Sequence, residues 1–186
     1  MKRMGILLWA ALGLSGSPAF AIQTADGTTY FQQVPRLLKT AVSPRQTHTR
    51  GATLQITVQV PQEAGEPLQS LVIDQSQNLE VLRINSERIT AVLGESWHSE
   101  ALPVPIQSEI RGSELHIQFL PALPPGTIVT LGLRPISTPT TSGAYLYGVT
   151  ALARGSQPYP HFLGYGRVVF ADGGNGGRNR LWHLHR

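Results

Sequence analysis

Three runs between Pro124 and Phe170 decide the fold: PPGTIVTLGLRP at 124–135, GAYLYGVTALARG at 143–155 and HFLGYGRVVF at 161–170. In the first, Val129, Leu131 and Leu133 alternate with Thr130, Gly132 and Arg134. That period of two belongs to a strand with one buried face. Pro124-Pro125-Gly126-Thr127 is a turn, because proline presets φ and glycine accepts a positive one, and Pro135 ends the strand. The other two runs continue the pattern, with Tyr145, Tyr147 and Val149 on one face. In the last run Phe162, Gly164, Gly166, Val168 and Phe170 fall on one face, and Leu163, Tyr165, Arg167 and Val169 on the other.

Outward from these runs the chain keeps the same texture. Leu54, Ile56, Val58 and Val60 alternate strictly with Thr or Gln, which predicts a strand over 53–60 with one buried and one wet face. Residues 68–74 predict another, with Leu71 and Ile73 on one side. Residues 106–110 and 114–120 flank Gly112-Ser113, a pair suited to a type II′ hairpin turn. Leu115, Ile117 and Phe119 then point inward and His116 outward. Weaker strand signals lie at 29–31 and 36–42, after the Asp26-Gly27 turn. Residues 78–93 fit either a helical stripe or two short strands, 81–84 and 89–92, around Asn85-Ser86; the all-β flanks favour the strands. Short strands divided by turns, without the helices of a βαβ fold, predict an all-β antiparallel sandwich of immunoglobulin-like type with at most one short helix.

The 186 residues divide into three parts. Lys2 and Arg3, the apolar run 4–14 and Ala19-Phe20-Ala21 have the layout of a secretory signal cleaved after Ala21. Eleven apolar residues are too few to span a bilayer, and no later stretch suggests a span in the mature chain. Residues 22–170 form the expected single domain, and 171–186 a glycine-rich basic tail. The expected destination is the periplasm or the outside of the cell, with the thylakoid lumen also open. The chain has no cysteine, so apolar burial alone must hold the domain together. The net charge of +4 resides at the ends: over 25–170 basic and acidic residues balance at ten each. That balance argues against a nucleic-acid-binding face. A monomer or weak oligomer is expected.

Candidate chemistry is sparse. Tyr145, Tyr147 and Tyr165, edged by Arg167, could form an exposed platform for a sugar ring or partner chain. Alternatively the aromatics pack in the core and cover the strand glycines. A hydrolase would use His98 with Ser96 or Glu95, although Gly94-Glu95-Ser96-Trp97-His98 lacks the closing glycine of a nucleophile elbow. No histidine pair in the body has helical ligand spacing, and His183 and His185 are two apart in the tail, so no metal and no cofactor are expected. The tail glycines lack the ending of a phosphate loop. Trp182 among the tail arginines could touch an anionic polymer or lipid surface.

A series of short motifs carries a family resemblance. Ala25-Asp26-Gly27-Thr28, Gly51-Ala52-Thr53, Ala64-Gly65-Glu66-Pro67-Leu68, Pro124-Pro125-Gly126-Thr127 and Leu131-Gly132-Leu133-Arg134-Pro135 are its landmarks. The strongest are Gly143-Ala144-Tyr145-Leu146-Tyr147-Gly148-Val149-Thr150-Ala151 and Phe162-Leu163-Gly164-Tyr165-Gly166-Arg167. In this order they resemble a cyanobacterial family of exported proteins, domain of unknown function 2808, across nearly all of 25–170. The resemblance implies an envelope location and a single domain, and brings no catalytic residue or cofactor. The expectation is a non-catalytic envelope protein binding a polysaccharide or a protein partner. The alternatives are the hydrolase and a structural partner that adds a strand to another sheet.

Overall fold

A computed structural model describes residues 22–23, 27–95 and 101–173. The expected signal segment, most of the tail, and Ser96, Trp97, His98 and Glu100 lie outside these residues.

Two sheets face each other. The four-stranded sheet has the order β3 (Arg36–Ser43), β4 (Thr53–Gln59), β9 (Ile128–Leu133), β6 (Thr90–Leu93). The five-stranded sheet has the order β12 (Pro160–Phe170), β10 (Gly143–Ala153), β5 (Leu68–Asp74), β8 (Glu114–Leu123), β7 (Ile106–Arg111). All pairings within both are antiparallel. A small side sheet joins β1 (Ile22–Gln23), β2 (Thr28–Tyr30) and β11 (Gln157–Pro158).

In sheet order, β3, β4, β9 and β6 are the A, B, E and D strands of an immunoglobulin-type sandwich, and β12, β10 and β5 its G, F and C strands. The β7–β8 hairpin is an insertion between D and E that widens the second sheet beyond C. At the hairpin tip Gly112 adopts φ 61°, and Ser113 is not among the positive-φ residues, as a type II′ turn requires.

The inward alternation supplies the core. Leu54, Ile56, Val58, Val129, Leu131 and Leu133 from one sheet meet Leu71, Ile73, Leu115, Ile117 and Phe119 from the other, all nearly solvent-free. Each such side chain contributes about 1.5–3 kcal/mol by burial. Thr57, expected on a wet face, is also buried. Its hydroxyl pairs with that of Thr130 at 3.0 Å, and Thr130 donates to the Gly94 carbonyl at 2.6 Å, so the polar atoms are satisfied where the loop after β6 meets the sheet.

Residues 78–93 contain one expected strand, now Thr90–Leu93, and a short 3-10 turn, Ser86–Arg88, capped by Asn85. The strand expected at 81–84 is absent; only Ile84 bridges Pro135. Side chains replace strand pairing there. Gln75 exchanges bonds with the backbone of Leu82 at 3.0 and 3.3 Å. Asn78 does the same with Leu146, at 2.6 and 2.9 Å.

Candidate functional site

β10 and β12 are in register with Tyr145 opposite Val168 and Tyr147 opposite Gly166. Directly opposed residues share a face, so both tyrosines point inward with Val168 and Phe170. Tyr145 is 3% and Tyr147 0% exposed, whereas Tyr165 is 51% exposed and Arg167 lies in solvent. The expected common platform of Tyr145, Tyr147, Tyr165 and Arg167 is therefore divided between two faces of one sheet. Tyr145 and Tyr147 are core residues; Tyr165 and Arg167 are surface residues.

The two buried tyrosines have different settings. Tyr145 stands at the start of the F strand, and its hydroxyl donates to the Thr141 carbonyl four residues upstream at 3.0 Å. This is the tyrosine corner of immunoglobulin-type sandwiches, which pins the E–F connection. Its ring meets Phe170 edge-on at 5.3 Å. Tyr147 is buried deeper, and its hydroxyl has no hydrogen-bond partner. Burial pushes its phenol pKa up, so the group stays neutral.

The outward face holds an unexpected pair. Alternation puts Phe162 opposite in sense to Tyr165, but an irregularity between Val149 and Thr150 leaves Leu163 bulged from β12, with Gly164 at φ 121°. A bulge reverses parity beyond it. Phe162 thereby joins Tyr165 outside, ring centroids 5.0 Å apart and edge-on, while Leu163 packs against the core. Both rings cover Gly148, approaching the place of its missing Cβ to 3.5 and 3.4 Å. Gly166 serves a different neighbour: it leaves room for the side chain of Thr40 from β3.

Register sets three rows of side chains across this outer face. One runs Gln107, Gln118, Ser70, Leu152, Pro160; the next Glu109, His116, Val72, Thr150, Phe162; the third Arg111, Glu114, Asp74, Gly148, Tyr165. Over β7, β8 and β5 the face is concave, an open groove of about 850 Å³ with Gln107, Gln118, Ser70, His116 and the Glu109–Arg111 pair among its lining. Arg111 Nη2 donates to Glu109 at 2.6 Å, and this bond holds the Glu109 carboxyl below its usual range. His116 Nε2 lies 2.9 Å from Glu114. Burial would raise the Asp74 pKa, but hydrogen bonds from Ser76 and Ser113 outweigh it and hold the carboxyl low.

Sequence reading also missed an aromatic cluster beside the small sheet. Tyr30 and Tyr159 stack at 5.0 Å, and His161 meets Tyr159 at 5.1 Å and Phe31 at 5.5 Å. Its Nε2 is buried without a partner, and burial pushes its pKa below the usual histidine value. The residues come from two segments far apart in the chain, 30–31 and 159–161, so no local motif marks them.

For the hydrolase reading, only Glu95 is described, and it is exposed; Ser96 and His98 lie outside the described residues. Among the described residues no three acidic or histidine side chains gather as metal ligands would, and no helix is long and apolar enough to cross a membrane.

The family model for a protein of unknown function, DUF2808, matches residues 28–170. No curated protein matches. Among solved structures, a collagen-binding domain from a Staphylococcus aureus adhesin aligns at 8% identity and TM-score 0.38, over 73% of this chain and 98% of that one. AvmM, which catalyses macrocyclization in alchivemycin A biosynthesis, aligns at 12% identity and TM-score 0.33, over 88% of this chain and 99% of that one. Likenesses this shallow carry no argument about what the chain binds.

Proposed function

The chain belongs to the DUF2808 family, proteins of unknown function, and we propose that it is a non-catalytic binding module holding an extended polysaccharide across the outer face of its five-stranded sheet. The observation that carries this reading is one face, covered by none of the described residues, with two complementary halves. On β7, β8 and β5 lies the polar groove; on β12 lies the exposed Phe162–Tyr165 pair, with Arg167 beyond it. A pyranose presents an apolar C–H face and a rim of hydroxyls. The rings suit the first, and Gln107, Gln118, Ser70 and the charged pairs suit the second. Five strands at about 4.8 Å spacing make the face roughly 19 Å wide, room for several sugar rings. The signal-like pattern of residues 1–21 supports a location outside the cytoplasm for such a module.

A protein partner fits this face less well. Stable protein interfaces bury about 800 Å² a side around an apolar centre. Here the two strands at one side of the face, β8 and β7, carry Glu109, Arg111, Glu114 and His116, so much of the area is charged. Strand addition at β7, the outermost strand, meets a similar obstacle: Glu109, Ile110 and Arg111 are all exposed on it, and charges on an edge oppose a second strand.

Affinity electrophoresis through gels cast with neutral and acidic polysaccharides tests the reading. Retardation by at least one polymer is expected, and Gln107→Ala/Gln118→Ala should weaken it about tenfold, as loss of hydrogen bonds to a ligand does. Retardation unchanged in that variant, and in Tyr165→Ala, would remove the face from consideration.

A further inference from the structure

A second pocket lies at one end of the four-stranded sheet, away from the groove. It measures about 310 Å³ and is lined by Arg50, Gly51, Asn85, Arg88, Arg134, Pro135 and Ile136. Three of its seven residues are arginines, brought from three distant segments. Arg50 sits in the loop between β3 and β4, Arg88 ends the 3-10 turn, and Arg134 follows β9.

Backbone bonds fix this assembly. Asn85 N donates to the Arg134 carbonyl at 3.1 Å, and Arg88 N to the Asn85 carbonyl at 3.0 Å. Beside Arg50, Thr138 N donates to the Thr49 carbonyl at 2.8 Å, and Thr49 N to the Thr138 hydroxyl at 2.7 Å. Asn85 Oδ1 accepts from Glu87 N, which leaves its Nδ2 as a further donor at the pocket. No carboxylate among the described residues lines the pocket. Among the described residues the ion pairs are Arg111–Glu109 and His116–Glu114, so none of the three guanidiniums pairs with a described carboxylate.

Like charges gathered on a fixed backbone repel unless an anion lies among them. Guanidinium forks bind carboxylate and phosphate in pairs of parallel bonds. A carboxylate offers only two oxygens, whereas a tetrahedral oxyanion offers a face to each of three arginines. We propose that Arg50, Arg88 and Arg134 form a binding site for a tetrahedral oxyanion, a phosphate or sulfate group, either free or carried as an ester on a polymer. The volume leaves room for the ester's substituent, with exposed Ile136 beside it. This site is separate from the sheet face and stands or falls independently of it.

Isothermal titration at constant ionic strength tests the proposal, with potassium pyrophosphate, inorganic phosphate and chloride as free anions, and dextran sulfate against uncharged dextran as polymers. Saturable binding of pyrophosphate or dextran sulfate is expected, with no response to chloride or plain dextran. Arg88→Gln and Arg134→Gln should each weaken it roughly tenfold, and Arg45→Gln, exposed elsewhere, should not. Binding of the small anions assigns a free ligand; binding of dextran sulfate alone assigns a polymer-borne one. All three arginines are exposed, so the variants should unfold at the wild-type denaturant concentration, which is checked in parallel. No saturable response to either class, or binding equally strong in Arg50→Gln/Arg88→Gln/Arg134→Gln, overturns the site.

Discussion

Tyr145 changes role between sequence and structure, and the change can be measured. Its hydroxyl is bonded to Thr141 and its ring lies in the core, so it contributes to stability and stays out of ligand contact. Tyr145→Phe keeps the ring and removes the bond. Chemical denaturation should show a loss of about 1 kcal/mol, with polysaccharide binding unchanged. A variant of normal stability that no longer binds would return Tyr145 to the ligand surface. Glu80 acts on the same corner from another loop: its carboxylate accepts from Thr140 N, Thr140 Oγ1 and Thr141 N at 2.7–2.9 Å. These bonds hold its pKa at about 2, against 4.5 for a free glutamate. A depressed carboxyl pKa stabilises the fold fully above the unfolded value and loses that contribution as pH falls through the folded one. Glu80→Gln should therefore be less stable than wild type at pH 6, and the gap should close between pH 4.5 and pH 2. A gap that stays constant over this range would mean the carboxylate is not clamping the corner.

At the scale of the element, the β10–β12 pair shows how two glycines can look alike in sequence and differ in the fold. A Cβ on Gly148 would make ordinary contacts with the rings of Tyr165 and Phe162. A Cβ on Gly166 would run into all three side-chain heavy atoms of Thr40. Gly166→Ala should destabilise by about 1–3 kcal/mol, as overpacking does, and Gly148→Ala by clearly less; thermal unfolding of the pair decides. The expectation that aromatics cover the strand glycines holds at Gly148 and not at Gly166, where the neighbour is a threonine of the opposite sheet. The strands themselves were legible because alternation is local: 53–60, 68–74, 106–120 and 124–170 all fold as read, within a residue or two at most ends. The bulge that turns Phe162 outward was not. One extra residue costs nothing visible in composition, yet it reverses parity and creates the aromatic pair of the candidate site. The missing strand at 81–84 failed for a related reason: Gln75, Asn78 and Glu80 make the pairing bonds with side chains, across distances that no local pattern records.

For the whole molecule, an immunoglobulin-type sandwich without cysteine relies on one apolar core, and its inserted β7–β8 hairpin gives the second sheet its fourth and fifth strands and a concave outer side. Fold class was readable from alternation and turn chemistry. The candidate surface was only half readable: Tyr165 and Arg167 are on it, Tyr145 and Tyr147 are beneath it, and Phe162, Gln107, Gln118 and Ser70 enter only through register. The central claim is that this outer face holds the ligand. Hydroxyl-radical footprinting, with the protein alone and saturated with a polysaccharide that retards it in gels, reads the face directly. Phe162 and Tyr165 should lose most of their labelling on binding, while Tyr159, exposed beside the small sheet, should keep its own. Saturation that leaves Phe162 and Tyr165 labelled as in the free protein, or that protects Tyr159 instead, would contradict the account.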